Sequence, residues 1–252
     1  MSEAVARNST AEVIEGDCLE VMQGMPDASF DLVYLDPPYC TGKVQRGAEA
    51  EFDDRWESME SYLEFMALRL HEIHRLLNTT GSILLHCDWR TSHLLRVQLD
   101  SIFGPERFVN QIVWQYGLGG SSPRGFARKH DDILFYARDR TWWFDPPRVP
   151  ATSNRMAGMT KKATDVLDIP AINNMARERT GWPTQKPLAL LELLVKACCP
   201  PGGRVLDPFC GSGTTLRAAL NTGRMPVGID RHPDAVNLSR DRAGLPADST
   251  RR

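Results

Sequence analysis

Four residues that could take part in a reaction, Asp36-Pro37-Pro38-Tyr39, follow an apolar run that has the length of one strand. The run, FDLVYL from Phe30, is typical of a central strand that is covered on both faces. Proline has no backbone N–H and holds the preceding residue extended, so the strand must end at Asp36. The carbonyls of Asp36 and Pro37 then lack local partners. Because open parallel sheets bind ligands beyond the carboxyl ends of their strands, this turn is a candidate reaction site.

A second turn, DPFCGSG from Asp207, joins a predicted strand to a predicted helix. Its glycines, Gly211 and Gly213, allow the backbone to pass close to a ligand at the helix N-terminus. A phosphate-binding P-loop would need lysine where Thr214 stands. A dinucleotide-binding turn would need a third glycine where Leu216 stands. The turn therefore does not match either of the familiar phosphate-binding patterns.

An acid at the end of the next strand indicates which kind of ligand this turn would bind. Asp230 ends the segment VGID about 20 residues after Gly211, where a carboxylate can accept both hydroxyls of a ribose. The glycines alone are equally typical of an ordinary turn, and the position of Asp230 favours the functional interpretation. The pattern indicates an adenosine-like ligand without a pyrophosphate. S-adenosylmethionine fits, because it is a nucleoside with a charged thioether in place of phosphates.

Together the two turns resemble the paired motifs of the DNA amino-methyltransferases, which modify adenine at N6 or cytosine at N4 with S-adenosylmethionine. The catalytic motif precedes the cofactor motif, as in the circularly permuted β group of that family. Two further segments, GWPTQKPLALLELL from Gly181 and IEGDCLEVM from Ile14, resemble the remaining cofactor-side motifs. The resemblance covers most of residues 12–242 and fails only in the middle. The matching residues are Asp36-Pro37-Pro38-Tyr39 and Asp207-x-Phe209-x-Gly211-x-Gly213-Thr214-Thr215.

This resemblance implies a role for each matching residue. The amino group of a base is a poor nucleophile, and two acceptors aimed at its N–H bonds, the Asp36 carboxylate and the Pro37 carbonyl, would favour the tetrahedral nitrogen. Tyr39 would stack on a base that has been flipped out of the duplex. Asp17 would contact the cofactor's adenine and Lys186 its methionine end. The predicted cofactor-binding residues are Asp17, Lys186, Asp207, Phe209, Gly211, Gly213, Thr214, Thr215 and Asp230.

The remaining segments predict an α/β fold with a doubly wound, mostly parallel sheet, because strands alternate with helices. Two strands, RFVNQIVWQY from Arg107 and DDILFYARD from Asp131, predict a terminal β-hairpin that TWWF could extend. Residues 41–57 are predicted to form a loop. Further strands are predicted in AEVIEGD, SILLHC, RVLD and MPVGID, and helices in CLEVMQGM, SYLEFMALRLHEIHRLL, TSHLLRVQLDSIF (capped by Thr91 or Ser92), PLALLELLVKACC, TTLRAALNTG and the segment from Pro233.

A chain of 252 residues with these elements is predicted to be a single methyltransferase domain. Residues 12–144 would form the catalytic half and residues 184–243 the cofactor-binding half. Residues 145–183 lack clear periodicity and are predicted to be a short irregular target-recognition insert. Residues 244–252 are predicted to be a disordered tail.

Double-stranded DNA is the predicted partner although the formal net charge is −2. Local patches must then neutralise phosphates, and Asn154 or Arg155 could read base edges. Each basic residue by itself is typical of a solvated surface loop. Trp142, Trp143 and Phe144 are interpreted as core or hairpin packing, and His86 and His130 as structural. The predicted DNA-binding residues are Lys43, Arg46, Arg124, Arg128, Lys129, Arg155, Lys161 and Lys162.

Cysteine usage and apolar patterning predict a cytoplasmic protein. The six cysteines show no CxxC pair and no partnered histidine spacing, so we expect no metal site. The chain shows no signal peptide and no apolar run long enough to span a bilayer, so we expect no membrane partner and reduced thiols.

The favoured function is site-specific methylation of DNA at adenine N6, because Asp rather than Ser at position 36 favours adenine within the family. Cytosine N4 is the alternative target. Among other classes, RNA methyltransferases usually have the opposite motif order, and a nicotinamide oxidoreductase would need the third glycine. A non-catalytic DNA-binding subunit would typically lack Asp36 or the glycines. A homodimer that shares recognition and a separately acting restriction endonuclease are left open.

Overall fold

The computed structural model describes residues 11–47, 51–117, 123–151, 155, 158–173 and 175–246. Six α-helices lie in these ranges: α1 Cys18–Gln23, α2 Met59–Leu76, α3 Ser92–Phe103, α4 Leu188–Cys198, α5 Thr214–Asn221 and α6 Pro233–Ala243. The strands of these ranges are β1 Glu12–Glu15, β2 Phe30–Leu35, β3 Lys43–Arg46, β4 Glu51–Asp54, β5 Leu77–Cys87, β6 Phe108–Gln115, β7 His130–Ala137, β8 Arg148–Pro150, β9 Thr160–Lys162, β10 Val166–Asp168, β11 Arg204–Asp207 and β12 Met225–Asp230.

The fold is α/β with a mostly parallel sheet, as predicted. Its eight strands have the order β1-β12-β11-β2-β5-β7-β6-β10. Strand β7 runs antiparallel to both β5 and β6, and the other neighbours are parallel. The predicted hairpin is therefore β6–β7, and the short strand β10 lies outside it at the edge. The carboxyl ends of β2, β5, β6, β11 and β12 consequently share one edge of the sheet, which we call the carboxyl edge.

Apolar helix faces cover both sides of this sheet. On one side, Tyr62, Met66 and Leu70 of α2 pack with Val33 and Leu35 in a buried cluster. On the other side, leucines of α4 pack with Tyr34, Leu84 and Phe135. Alternate residues of β2 thus point to opposite cores, which explains its continuous apolar sequence. The strand is held from both faces, and the turn that follows it starts from a fixed position.

Two local predictions were wrong, and a third was confirmed by position alone. Residues 41–57 contain an antiparallel hairpin, β3–β4, in addition to loop. The segment TWWF does not continue the β6–β7 hairpin, and its three aromatic side chains are exposed rather than part of a core. Thr91 is the N-cap of α3 by position, but its side chain makes no capping hydrogen bond. The hairpin was missed because its side chains are mostly exposed on both faces, so no apolar alternation marks it.

The predicted recognition insert, residues 145–183, is less irregular than its sequence indicates. It contains the two-stranded sheet β8–β9 and the strand β10, which pairs with β6. Asn154 lies outside the described residues, as do residues 118–122 of the glycine-rich loop and residues 247–252 of the predicted tail. The division into two halves and an insert remains a prediction.

None of the helices in the described part of the chain is both long and apolar enough to cross a membrane. In the same ranges, no cluster of three or more His, Cys, Asp or Glu side chains is arranged to hold a metal ion.

Candidate active site

The Asp36-Pro37-Pro38-Tyr39 turn leaves the carboxyl edge directly after β2. The hydroxyl of Tyr39 donates to one carboxylate oxygen of Asp36, at 2.6 Å. The Lys186 ammonium donates to the other oxygen, also at 2.6 Å. Lys186 is almost buried, and its contact joins the turn to a segment 150 residues away in the chain. The candidate acceptor of the reaction is thus oriented through both of its oxygens.

A buried polar cluster lies beneath Tyr39. The hydroxyl of Tyr34 and Nδ1 of His86 are 2.7 Å apart, and the His86 ring centroid lies 6.0 Å from that of Tyr39. Nε2 of His86 is 3.4 Å from the carboxylate of Asp131 at the start of β7. Burial, followed by the charge of Asp36, holds the pKa of Tyr39 well above its usual value. Tyr39 therefore stays a neutral donor to Asp36.

The β3–β4 hairpin fixes the residues that follow the turn. Asp54 is buried at the end of β4 and accepts from the backbone amides of Cys40 at 2.9 Å and Thr41 at 3.0 Å. The Thr41 hydroxyl adds a third bond to Asp54, at 2.6 Å. Cys40 has a φ of 56°, in the left-handed region that non-glycine residues rarely adopt. The Asp54 carboxylate thus stabilises a strained backbone next to Tyr39, and sequence analysis missed it.

The glycine turn lies between β11 and α5, on the strand next to β2. The amide of Gly211 donates to Asp230 at 2.9 Å, so the predicted acid at the end of β12 directly holds the turn. A Cβ atom on Gly211 would lie 2.9 Å from Nε1 of Trp182. A Cβ on Gly213 would lie 2.8 Å from the backbone of Ser239. Both glycines also have positive φ, which explains why larger residues are excluded.

Asp207 is the most deeply buried acid of this turn, with an exposed fraction of 3%. It accepts from the amide of Phe209 at 3.0 Å. Burial raises the pKa of Asp207 to about 7; a bond from Thr215 opposes this rise, and the charges of Asp36 and Asp230 add to it. Burial also raises the pKa of Asp230. A positively charged ligand at this turn would favour the ionised form of both acids.

Asp17 lies at the N-terminus of α1, on the same edge. Its carboxylate accepts from the amide of Leu19 at 2.8 Å and forms an ion pair with Arg69 at 2.9 Å. The Arg69 guanidinium lies 3.4 Å from the centroid of the Phe65 ring, and the Phe65 and Phe209 rings are 6.2 Å apart. Arg69 and Phe65 are functional candidates that sequence analysis missed, because both lie on a helix whose apolar spacing predicts only core.

Nearly all the predicted catalytic and cofactor-binding residues line one cavity. Gly213 is the exception, since it shapes the turn without lining the cavity. Trp182 and Thr184 line it from the segment before α4, and Trp56 and Phe65 line it from the α2 side. The predicted residues in its wall are Asp17, Asp36, Pro37, Pro38, Tyr39, Lys186, Asp207, Phe209, Gly211, Thr214, Thr215 and Asp230.

Comparisons with known proteins bear on this cavity. A family model described as DNA methylase, for the N6/N4 methyltransferases, matches residues 30–241. The type II methyltransferase M.ScaI of Streptomyces caespitosus is 30% identical over 95% of this chain and 84% of its own. The DNA adenine methyltransferase YhdJ of Escherichia coli K12 is 27% identical over 92% of this chain and 82% of its own. The chain belongs to this DNA methylase family.

Solved structures share the fold of this DNA methylase. The structure of the PvuII DNA methyltransferase, described as cytosine-N4-specific, superimposes with a TM-score of 0.70 at 16% identity and covers 96% of this chain and 89% of its own. The complex of M1.HpyAVI with S-adenosylmethionine gives a TM-score of 0.66 at 20% identity and covers 94% and 100%. At these identities the two structures support the fold, which is that of S-adenosylmethionine-dependent methyltransferases.

Membership of the family makes the protein an enzyme, an S-adenosylmethionine-dependent DNA methyltransferase. The donor set of the cavity fits that cofactor. Asp230 presents a carboxylate at the end of β12, and Phe209 adds an aromatic face. Asp207 accepts from the Phe209 amide and from the Thr215 side chain, and its carboxylate can offset a positive charge on the ligand once it ionises. The assignment of single residues to parts of the cofactor stays a prediction.

The predicted DNA-binding residues of this methyltransferase lie outside the cavity wall. Arg46 pairs with Glu51 across the β3–β4 hairpin at 3.1 Å, with both side chains largely exposed. Arg128 stacks over the ring of Trp89, 3.7 Å from its centroid. Their roles in DNA binding stay predictions. The remaining six residues are Lys43 on β3, Arg124 and Lys129 in the β6–β7 loop, Arg155, and Lys161 and Lys162 on β9, and all are exposed or partly exposed.

Proposed function

We propose that this methyltransferase modifies the exocyclic amino group of one base at a specific sequence in double-stranded DNA, with N6 of adenine as the favoured target. The observation that carries the proposal is the position of Asp36. Its carboxylate lies in the wall of the same cavity as the glycine turn and Asp230, so the acceptor for an amino group faces the cofactor side. The Asp at position 36 and the similarity to a DNA adenine methyltransferase support adenine.

The amino group would meet two acceptors, the carboxylate of Asp36 and the carbonyl of Pro37. Accepting both N–H bonds favours the tetrahedral nitrogen whose lone pair can attack a methyl group. Such fixed acceptors act without reorganisation, and the loss of one costs roughly 3 to 4 kcal/mol of barrier. S-adenosylmethionine would supply the methyl group: an N–C bond would form as the S–C bond breaks, S-adenosylhomocysteine would leave as the thioether, and the proton of the nitrogen would pass to water.

Lys186 and Tyr39 hold the Asp36 carboxylate in position. Each donates to one oxygen of Asp36, at 2.6 Å, so the carboxylate is oriented before the base arrives. Each carboxylate oxygen has a second lone pair that can accept from the base. Tyr39 is proposed to stack on the base through its ring face, above His86.

The target base must leave the duplex to reach this cavity, so the proposal includes base flipping. The six other basic residues, which are exposed or partly exposed, and the Arg46 and Arg128 side chains are proposed to contact phosphates around it. Relatives named type II methyltransferases support a role in restriction–modification beside a separately acting endonuclease. A homodimer and a cytoplasmic location remain part of the proposal.

Labelled methyl transfer into unmethylated duplex DNA, with product nucleosides separated by mass spectrometry, tests this function. We expect N6-methyladenine, and sequencing of the methylated DNA then gives the recognition site. N4-methylcytosine would keep the mechanism and reverse the choice of base. Transfer to RNA alone, or to no nucleic acid, would contradict the proposal. The Asp36→Ala variant is the matched control and should give no product.

A further inference from the structure

An aromatic side chain lies fully exposed at the carboxyl edge. Phe126, in the described part of the β6–β7 loop, does not pack in the apolar core, although burial of a phenylalanine stabilises a fold by about 1.5–3 kcal/mol. Single exposed apolar residues are common on protein surfaces. This one differs in its neighbours, because Arg124, Arg128 and Lys129 surround it in the sequence.

The loop that carries Phe126 is held next to the candidate active site. The amide of Tyr116 donates to the carbonyl of Lys129 at 3.0 Å, which closes the base of the loop. Arg128 lies over the ring of Trp89, which follows β5, and so ties the loop to the neighbouring strand. These contacts fix the ends of the segment and leave the Phe126 ring in solvent.

A short series of contacts connects the loop with Tyr39. Asp131, at the start of β7, is 3.4 Å from His86, and the ring of His86 lies 6.0 Å from the ring of Tyr39. Neighbouring strands are about 4.8 Å apart, so the start of β7 lies about 10 Å from the end of β2. Phe126 precedes β7 by four residues, so its loop lies at the same carboxyl edge of the sheet as Asp36.

We propose that Phe126 is a wedge that enters the base stack of the duplex at the position vacated by the target base. The inference rests on the proposed function, since it concerns how the base is held outside the duplex. Apolar side chains inserted between base steps are a known way to offset lost stacking, and basic neighbours hold the adjacent phosphates. Arg124 and Arg128 are suitably placed in the loop for the phosphate contacts.

Transfer kinetics of Phe126→Ala on two duplexes test the wedge. Both contain the recognition site found with the wild-type enzyme, and in one of them the target base faces an abasic position and is already unpaired. We expect the rate on the fully paired duplex to fall about tenfold or more, as for the loss of one base-stacking ring. The rate on the unpaired target should change less than about twofold, since little unstacking remains to be offset.

Two matched variants complete the experiment. Phe126→Leu keeps an apolar wedge and should recover most of the rate on the paired duplex. Leu68→Ala removes an exposed apolar side chain of α2 and should act as wild type on both duplexes. Cofactor binding by calorimetry should be equal for all variants, because the fully exposed Phe126 ring does not support the fold.

The outcomes separate this inference from the function on which it rests. Failure of the wild-type enzyme to methylate DNA would overturn both. Normal wild-type activity, combined with an unchanged Phe126→Ala rate or with equal losses on the two duplexes, would overturn the wedge alone. Fluorescence of 2-aminopurine at the target position gives a second readout: Phe126→Ala should lower the increase seen on binding, and an undiminished increase would also overturn the wedge.

Discussion

Two acids on neighbouring strands of this methyltransferase have opposite surroundings. Asp36 follows β2 and meets a lysine ammonium at 2.6 Å, and 18% of its side chain is exposed. Asp207 ends β11 and is only 3% exposed; among the described residues it accepts from an amide and a hydroxyl and forms no ion pair, and burial raises its pKa to about 7. From this difference we propose that the Asp36 carboxylate accepts from a neutral amino group and that the Asp207 carboxyl group ionises beside a positively charged ligand.

Among the groups that surround the two acids, the largest effect should come from removing the cation beside Asp36. Lys186→Met leaves the Asp36 carboxylate without its ion pair in a mostly buried position. Breaking a buried pair in this way costs about 3 kcal/mol of folding stability, and we expect the free energy of unfolding in urea to fall by about that amount. Transfer should fall by about 100-fold, since the acceptor loses its orientation.

Two controls sharpen this prediction. Lys196→Met alters an exposed lysine on α4 and should leave both stability and transfer unchanged. Lys186→Met combined with Asp36→Asn should be less destabilised than Lys186→Met alone, because no uncompensated charge remains. Equal stability of Lys186→Met and the wild type would mean that the ion pair does not hold the turn.

The second prediction concerns pH and Asp207. Burial keeps this carboxyl protonated below a pH of about 7, and a positively charged cofactor favours its ionised form. Affinity for S-adenosylmethionine should therefore rise about tenfold as pH increases from about 6 to about 8. Calorimetric titrations at a series of pH values measure this, and Asp207→Asn should flatten the profile. A falling or flat wild-type profile would contradict the assignment.

The raised pKa of Asp207 also affects the folding stability of the protein without cofactor. The folded-state pKa of Asp207 lies above the value of about 4 in an unfolded chain, so the folded state binds the extra proton between these values. Its contribution to stability is present at low pH and is lost as pH rises from about 4 to about 7. Asp207→Asn should remove this decline from the free energy of unfolding.

The smallest effect should come from Asp54, which acts on the catalytic turn through the backbone. Asp54→Asn retains the shape but places an amide NH2 where a carboxylate oxygen accepts from Cys40, Thr41 or the Thr41 hydroxyl. A lost charged hydrogen bond is worth about 1.5 kcal/mol, so we expect kcat to fall about tenfold. Cofactor affinity should not change, which distinguishes positioning of the turn from general unfolding.

Glu57→Gln is the matched control for that experiment. Glu57 lies three residues after Asp54, is exposed, and does not line the cavity. Its replacement should leave kcat within about twofold of wild type, because surface substitutions of this kind have little effect. Similar losses in the two variants would remove Asp54 from the account.

The sequence was sufficient to predict both turns because each is local. Prolines end β2 wherever it packs, and the glycines of β11–α5 are needed by backbone geometry within the same turn. The alternation of strands and helices likewise predicted the sheet and both of its helical layers. Asp230 could be predicted because its spacing from Gly211 follows from one strand–helix–strand unit.

The functional residues that the sequence did not predict either contact residues far away in the chain or lie in segments whose secondary structure was predicted wrongly. Arg69 reaches Asp17 from 52 positions away, and a helical apolar pattern gives no sign of such a contact. Asp54 lies in a hairpin whose side chains are mostly exposed on both faces, so its sequence lacks the apolar alternation that predicts a strand. Lys186 was predicted by resemblance only, and its bond to Asp36 follows from the packing of α4 beside the sheet.

The most direct test of the account compares two variants in two measurements. Cofactor binding by calorimetry and single-turnover transfer to duplex DNA are measured for Asp36→Ala and Asp207→Asn. We predict that Asp36→Ala loses transfer by about 100- to 1,000-fold with unchanged cofactor affinity, and that Asp207→Asn weakens cofactor binding while saturating cofactor restores most of the transfer. Retained transfer in Asp36→Ala, or an equal loss of cofactor affinity in both variants, would contradict the division of roles between the two acids.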